Sequence, residues 1–213
     1  MKYIEKKMTN EPRSLKTYRS TPRAAYDSCN KADIRASLLN EQGFICAYCM
    51  RRIKSKTTDI EHYSAQSNDS KLKLNYGNML AVCNVSEGRP SKAQHCDKSR
   101  RNQVLTINPL IKNCEKKIKY GSDGEIYSDN ELINHDLNKK LNLNLPRLMK
   151  NREKFVEEVR VALNRKYKNT ANKTWQKSDL STEIKRLKSR EDDKFVPFCQ
   201  AAIFYLENKL ARL

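Results

Sequence analysis

The stretch "FICAYCMRRI", residues 44–53, places Cys46 and Cys49 in a C-x-x-C pair. That spacing lets two thiolates from one tight turn take adjacent corners of a tetrahedron around zinc. Two further cysteines, Cys83 and Cys96, follow at a distance, so a four-cysteine site would close the intervening chain on itself. The competing reading is that Cys83 and Cys96 are buried thiols. Cys29, Cys114 and Cys199 lack partners at ligand spacing, and Cys199 lies on the apolar face of "FVPFCQAAIFYL", so these three read as packing residues. A zinc ion held by four thiolates has no open coordination position, so its role would be structural and any chemistry must sit elsewhere.

The rest of the composition suits a metal staple better than disulfides. The chain has 213 residues, 43 Lys+Arg against 25 Asp+Glu, a formal charge of +18 and seven cysteines. Such a positive excess calls for a polyanionic partner, and nucleic acid is the first candidate. No stretch approaches the about 18 apolar residues of a spanning helix, and "MKYIEKKMTNEPRS" has no run resembling a secretion signal. No membrane association and a cytoplasmic location are therefore expected, where reducing conditions disfavour disulfides.

Working outward from the cysteines, residues 1–28 show no clear periodicity and read as a basic, irregular N-terminal arm. "NKADIRASLLNEQ", 30–42, puts Ile34, Leu38 and Leu39 on one helical face and ends at Gly43, a helix stop. Between Ile53 and Lys98 short segments are cut by polar turns such as "SNDS" and "NYGN", as in a small loop-rich module that needs a staple. "KKIKYGSDGEIY", 116–127, alternates around "GSDG" and reads as a β-hairpin. Pro146 then opens a long amphipathic helix with Leu148, Phe155, Val156, Val159 and Leu163 at helical spacing. Two more helices are expected near 179–189 and 196–212, after the polar stretch "KNTANKTWQKS". The fold class is α+β, mainly helical, in three parts: the arm 1–28, a module at 29–112, and a hairpin with helices at 113–213. The apolar faces beyond Pro146 are either intramolecular core or a docking surface for a partner.

Between the cysteine pairs lies "DIEHY", 59–63, whose Ile60 and Tyr63 suit a strand. In a regular strand Glu61 and His62 point to opposite faces, so their joint use requires a strand end or bulge. Their chemistry fits phosphodiester hydrolysis: an imidazole titrating near neutrality can deprotonate water, and carboxylates are hard ligands for a divalent cation that neutralises phosphate charge. The bland readings are a structural histidine, a surface carboxylate paired with lysine, a turn asparagine at Asn78 and a helix-capping Asp97. Arg51, Arg52, Lys54 and Lys56 form a basic run after the knuckle, suited to a nucleic-acid backbone or simply solvated.

The order C-x-x-C, "EH", "NMLAVC" and "HCDKSRRN" resembles the HNH endonuclease pattern. Together with "LNLNLPRLMKNREKF" it is similar to the PtuB-type HNH nucleases of Septu and retron-associated anti-phage systems, over about residues 41–155. The resemblance implies a zinc-stapled ββα-metal core in residues 29–112, with His62 as general base and Asn78 orienting that histidine or the metal shell. It implies Glu61 and Asp97 as ligands of a catalytic divalent cation. Asp97 stands where the generic pattern has histidine, which shifts the expected cation toward Mg²⁺ or Mn²⁺; Asp59 and His95 are further candidates for the shell. Lys98, Arg100 and Arg101 would follow on a helix suited to phosphate contacts. The resemblance also implies a PtuA-type ATPase partner and, in a retron setting, a reverse transcriptase with its RNA-linked DNA. The expected function is thus a metal-dependent endonuclease of anti-phage defence; the alternative is a non-catalytic zinc-ribbon subunit that binds nucleic acid or serves as a scaffold.

Overall fold

In the computed structural model, which describes residues 1–64, 72–166 and 175–213, the N-terminal segment is not an irregular arm. It carries α1 (Arg13–Arg19) and buries Met1, Ile4 and Leu15, while the Ile4 amide donates to the Pro109 carbonyl at 2.8 Å. The anchors are single apolar residues on short turns, which leave no periodic signature. The next helix, α2 (Lys31–Glu41), begins where expected because the Asn30 side chain accepts from the Ala32 and Asp33 amides. It buries Ile34, Leu38 and Leu39, and it ends as Gly43 takes φ +57°, the left-handed conformation that glycine adopts without penalty.

The cysteine knuckle leads into β1 (Thr58–His62), which pairs antiparallel with β2 (Met79–Cys83). Thr58 faces Cys83 and His62 faces Met79, so the ladder is regular to its end with no bulge. Part of the loop joining these strands, including the expected turn "SNDS", lies outside the described residues. A single helical turn, α3 (Asp97–Arg100), follows Cys96 directly. The hairpin forms as β3 (Lys119–Tyr120) and β4 (Ile126–Tyr127), and α4 (Glu131–His135) runs into one π turn over Asp136–Lys140.

Helix α5 (Pro146–Lys166) opens on its proline, and α6 (Lys177–Lys188) and α7 (Cys199–Leu210) complete the chain. Most of the polar stretch expected before α6 lies outside the described residues. Two apolar cores result. One joins the N-terminal segment, α2, both strands of the first sheet and Leu148; the other joins Val159, Leu163, Leu180, Ile184, Leu187, Cys199, Ile203 and Leu206. Ile45 and Met50 belong to the second core, so the knuckle rests on the C-terminal helices. Most of the apolar face of "FVPFCQAAIFYL" is therefore packed inside the molecule, the intramolecular-core alternative of the two that the sequence left open. The fold is mixed α and β, about half helical, with two two-stranded sheets among the described residues. No helix among them is long and apolar enough to cross a membrane.

Gly124 tests how the hairpin seats on α5. It sits at φ +83°, and an added Cβ would overlap the Met149 carbonyl oxygen and stand 2.9 Å from the Glu153 amide. Gly124→Ala should cost about 3 kcal/mol, a fall of about 6–12 °C in melting midpoint. Gly88→Ala, at φ +72° but facing open space, should cost only about 1 kcal/mol. Equal thermal shifts for the two would contradict this packing.

Candidate metal and catalytic site

The four sulfurs of Cys46, Cys49, Cys83 and Cys96 are buried and lie within 4.8 Å of one another. The Cys46–Cys96, Cys49–Cys83 and Cys83–Cys96 separations are 3.8, 3.7 and 3.8 Å. A disulfide needs about 2.05 Å. Four sulfurs about 2.3 Å from a central zinc ion stand about 3.8 Å apart, so the quartet fits a tetrahedral ion. The electrostatics agree. Burial opposes ionisation of Cys49, yet bonds from the other three sulfurs and His95 outweigh it and hold its thiol well below the usual range. Cys83 and Cys96 are pushed up, Cys83 chiefly by Cys46 and Cys49, Cys96 by burial and then by its neighbours. The sulfurs cannot ionise together without a cation among them.

His95 belongs to this centre. Its Nδ1 stands 3.2 Å from the Cys96 sulfur and 3.9 Å from that of Cys83, with the ring buried and Nε2 unpartnered among the described residues. Its amide donates to the Ser86 hydroxyl, which fixes the turn.

Alternation along β1 sorts the remaining candidates into two faces. Asp59 and Glu61 share the face covered by α3. There Lys98 Nζ lies 2.8 Å from Asp59, 3.3 Å from Glu87 and 3.8 Å from Asp97. Glu61 accepts from the Tyr48 hydroxyl at 3.2 Å and is ion-paired with Arg100. Burial, then contact with the Asp97 carboxylate, pushes the Glu61 carboxyl up to about 9 against the opposing pull of Arg100. The Glu61 carboxyl thus feels the Asp97 carboxylate beside it, an arrangement a divalent cation would relieve.

His62 occupies the other face, at the last residue of β1. Its ring meets the edge of Tyr26 at 4.6 Å, and Nε2 lies 2.9 Å from the Lys73 carbonyl. A carbonyl only accepts, so Nε2 carries the proton and the lone pair of the neutral ring is on Nδ1. Burial lowers the His62 pKa, with the Lys73 bond opposing, which favours that neutral form. Asn78 does not act as a simple turn residue. Its Oδ1 accepts from the Ser64 amide at 2.8 Å and its Nδ2 donates to the Ser64 carbonyl at 3.0 Å, clamping the chain just after His62 to the start of β2.

The expected phosphate contacts need correction. Arg100 is 1% exposed and its guanidinium is taken by Tyr48, Glu61 and the carbonyls of Tyr63 and Gln103. Arg52 donates to the carbonyls of Gly43, Phe44 and Phe195, and Lys98 is held among carboxylates. Arg101 is exposed at the end of α3 and Arg51 is half-buried. Sequence reasoning missed Tyr48, although it sits inside the C-x-x-C turn. It also could not separate Arg100 from Arg101, since adjacent arginines carry no label for which one turns inward.

No protein-family profile matches the chain. The chain is similar to a protein of Vibrio cholerae serotype O1 biovar El Tor named "Retron Vc95 putative HNH endonuclease", with 27% identity over 138 residues, 61% of this chain and 66% of that protein. The match thus spans just under two thirds of the relative's length.

Arg100→Lys should lower stability by about 3 kcal/mol in chemical denaturation, because a lysine cannot reproduce the forked donors and leaves Glu61 buried with a poorer partner. Arg101→Lys should leave the midpoint within about 0.5 kcal/mol. If Arg100→Lys kept full stability and weakened only nucleic-acid binding, the buried assignment would be wrong.

Proposed function

We propose that the chain is a metal-dependent HNH endonuclease, with residues 29–112 as a ββα-metal nuclease module. The observation that carries this is that the Glu61 carboxyl meets Asp97 beside the four-thiol centre, with His62 next in the chain at the end of β1, on its opposite face. The name of the Vibrio relative supports the same reading. In this account Cys46, Cys49, Cys83 and Cys96 hold a structural zinc, and Glu61 and Asp97 hold a catalytic Mg²⁺ or Mn²⁺. That cation would supply charge neutralisation at the phosphate oxygens and the leaving alkoxide.

The chain's own residues would do the remaining work. His62, whose neutral form burial favours, accepts a proton from the water that attacks phosphorus, while the P–O bond to the leaving oxygen breaks and that oxygen is protonated from solvent. Lys73 holds the tautomer, Tyr26 the ring plane, and Asn78 the backbone that follows His62. Retron and Septu-like defence, with a PtuA-type ATPase and a reverse transcriptase carrying RNA-linked DNA as partners, is the biological setting that goes with this reading.

One observation favours a second reading, a non-catalytic zinc-ribbon or scaffold subunit: Glu61 is already engaged by Arg100. Cleavage of duplex DNA, single-stranded DNA and structured RNA, with and without Mn²⁺, separates the two. The nuclease reading expects divalent-dependent cutting that falls at least about 100-fold in His62→Ala, the scale of losing a general base. Cutting unchanged in His62→Ala would exclude His62 as the base. Binding without cutting in every arm, repeated with the ATPase subunit present, would favour the second reading.

A further inference from the structure

Of the expected backbone contacts, Arg52, Lys98 and Arg100 are taken by partners within the fold, yet the charge is not lost from this face; it is carried by Arg51, itself one of the expected contacts, and by two further arginines. All three hang on frames tied to the sulfur centre. Arg51 lies two residues after Cys49, and its carbonyl accepts from the Cys46 amide at 3.0 Å. Arg89 sits on the turn between Cys83 and Cys96, where its amide donates to Ser86 and its carbonyl accepts from Gln94 at 2.9 Å. Arg147 is in the first turn of α5, whose approach is fixed by the Cys96 amide donating to Leu141 at 2.8 Å and by Asn142 donating to the Gln94 carbonyl at 2.7 Å.

None of the three has an ion pair among the described residues. Arg89 and Arg147 are exposed, and the half-buried Arg51 has its Nη1 without a hydrogen-bond acceptor. They are close enough to repel: after burial, Arg51 and then Arg89 lower the pKa of Arg147. Arginines left mutually repelling and short of acceptors suit a ligand rich in anionic oxygens, and the positive end of the 21-residue helix α5 adds to the same field.

We infer that Arg51, Arg89 and Arg147 form a binding track for the phosphodiester backbone of a nucleic-acid strand across the four-cysteine knuckle. The track deepens the nuclease reading by naming how the substrate is gripped, and it continues toward the Glu61–Asp97 pair, since Glu87 on the Arg89 turn meets Lys98 of α3. It supplies position and carries no base readout, because contacts to phosphate are the same for every sequence. The competing role for the three charges is to offset the net negative charge of a zinc ion held by four thiolates.

The test is binding of fluorescently labelled duplex and single-stranded DNA by the full chain, with no added divalent cation, over a series of salt concentrations. Arg89→Ala/Arg147→Ala changes only exposed side chains, so its zinc content and melting midpoint should match the wild type. Its affinity at low salt should fall at least about 10-fold, and the slope of log affinity against log salt should flatten by about one to two, the loss of one or two phosphate contacts. The charge-matched control Arg13→Ala/Arg212→Ala, also exposed, should change affinity less than about threefold. Unchanged affinity and slope in a folded double variant, or lost zinc with binding otherwise intact, would overturn the track. Saturable displacement by millimolar inorganic phosphate beyond that of chloride at equal ionic strength would also overturn it, in favour of a small-anion pocket. A protein that binds through these arginines but never cuts would sink the nuclease reading and leave the track standing.

Discussion

Convergence of four sulfurs on one point is the constraint from which the rest of the molecule hangs. Cys46 and Cys49 come from the turn after α2, Cys83 from the end of β2, and Cys96 from the residue before α3. One centre therefore fixes where the first sheet ends and where α3 begins. The same knuckle sends Ile45 and Met50 into the core of α5, α6 and α7, while Cys46 and Cys49 face the N-terminal core. A small sheet of two five-residue strands could not hold these elements in register alone. Two apolar cores meeting at a cross-linked turn can.

Because α3 begins at Asp97 immediately after the fourth sulfur, the centre also decides which strand face the helix covers. Asp59 and Glu61 fall under it, and His62 falls on the side of Tyr26. Burying one acid beside another under an arginine is unfavourable for folding in isolation, and burial first, then Asp97, pushes the Glu61 carboxyl up accordingly. Arg100 and Tyr48 relieve part of it. Sites that keep such unresolved charge are where binding of a cation or an anion gains most, which links the Glu61–Asp97 pair and the arginines around the knuckle in one physical picture.

Much of this was legible in the sequence, for reasons that differ by element. Helices α2, α5, α6 and α7 carry periodic apolar faces, and Asn30, Gly43 and Pro146 mark their ends, so local rules sufficed. The cysteine quartet was legible because ligand spacing is a covalent constraint. The N-terminal segment was not, since Met1, Ile4 and Leu15 are isolated anchors without period. Nor was the fate of the basic residues: Arg52 and Arg100 turn inward while Arg89 and Arg147 face solvent, and only the tertiary arrangement of carbonyls and carboxylates decides which. Asn78 looked like turn chemistry in "NYGN"; its amide instead spans two segments whose approach depends on strand pairing.

The proposed function requires two different cation sites side by side, one closed by sulfur and one offered by carboxylates. Metal analysis of the purified protein, followed by titration with Mn²⁺ read by electron paramagnetic resonance, tests it directly. About one zinc per chain should survive dialysis, and one exchangeable Mn²⁺ site should disappear in Glu61→Gln/Asp97→Asn while zinc is retained. A folded, zinc-loaded wild type that binds no Mn²⁺, or binds it equally well in the double variant, would contradict it.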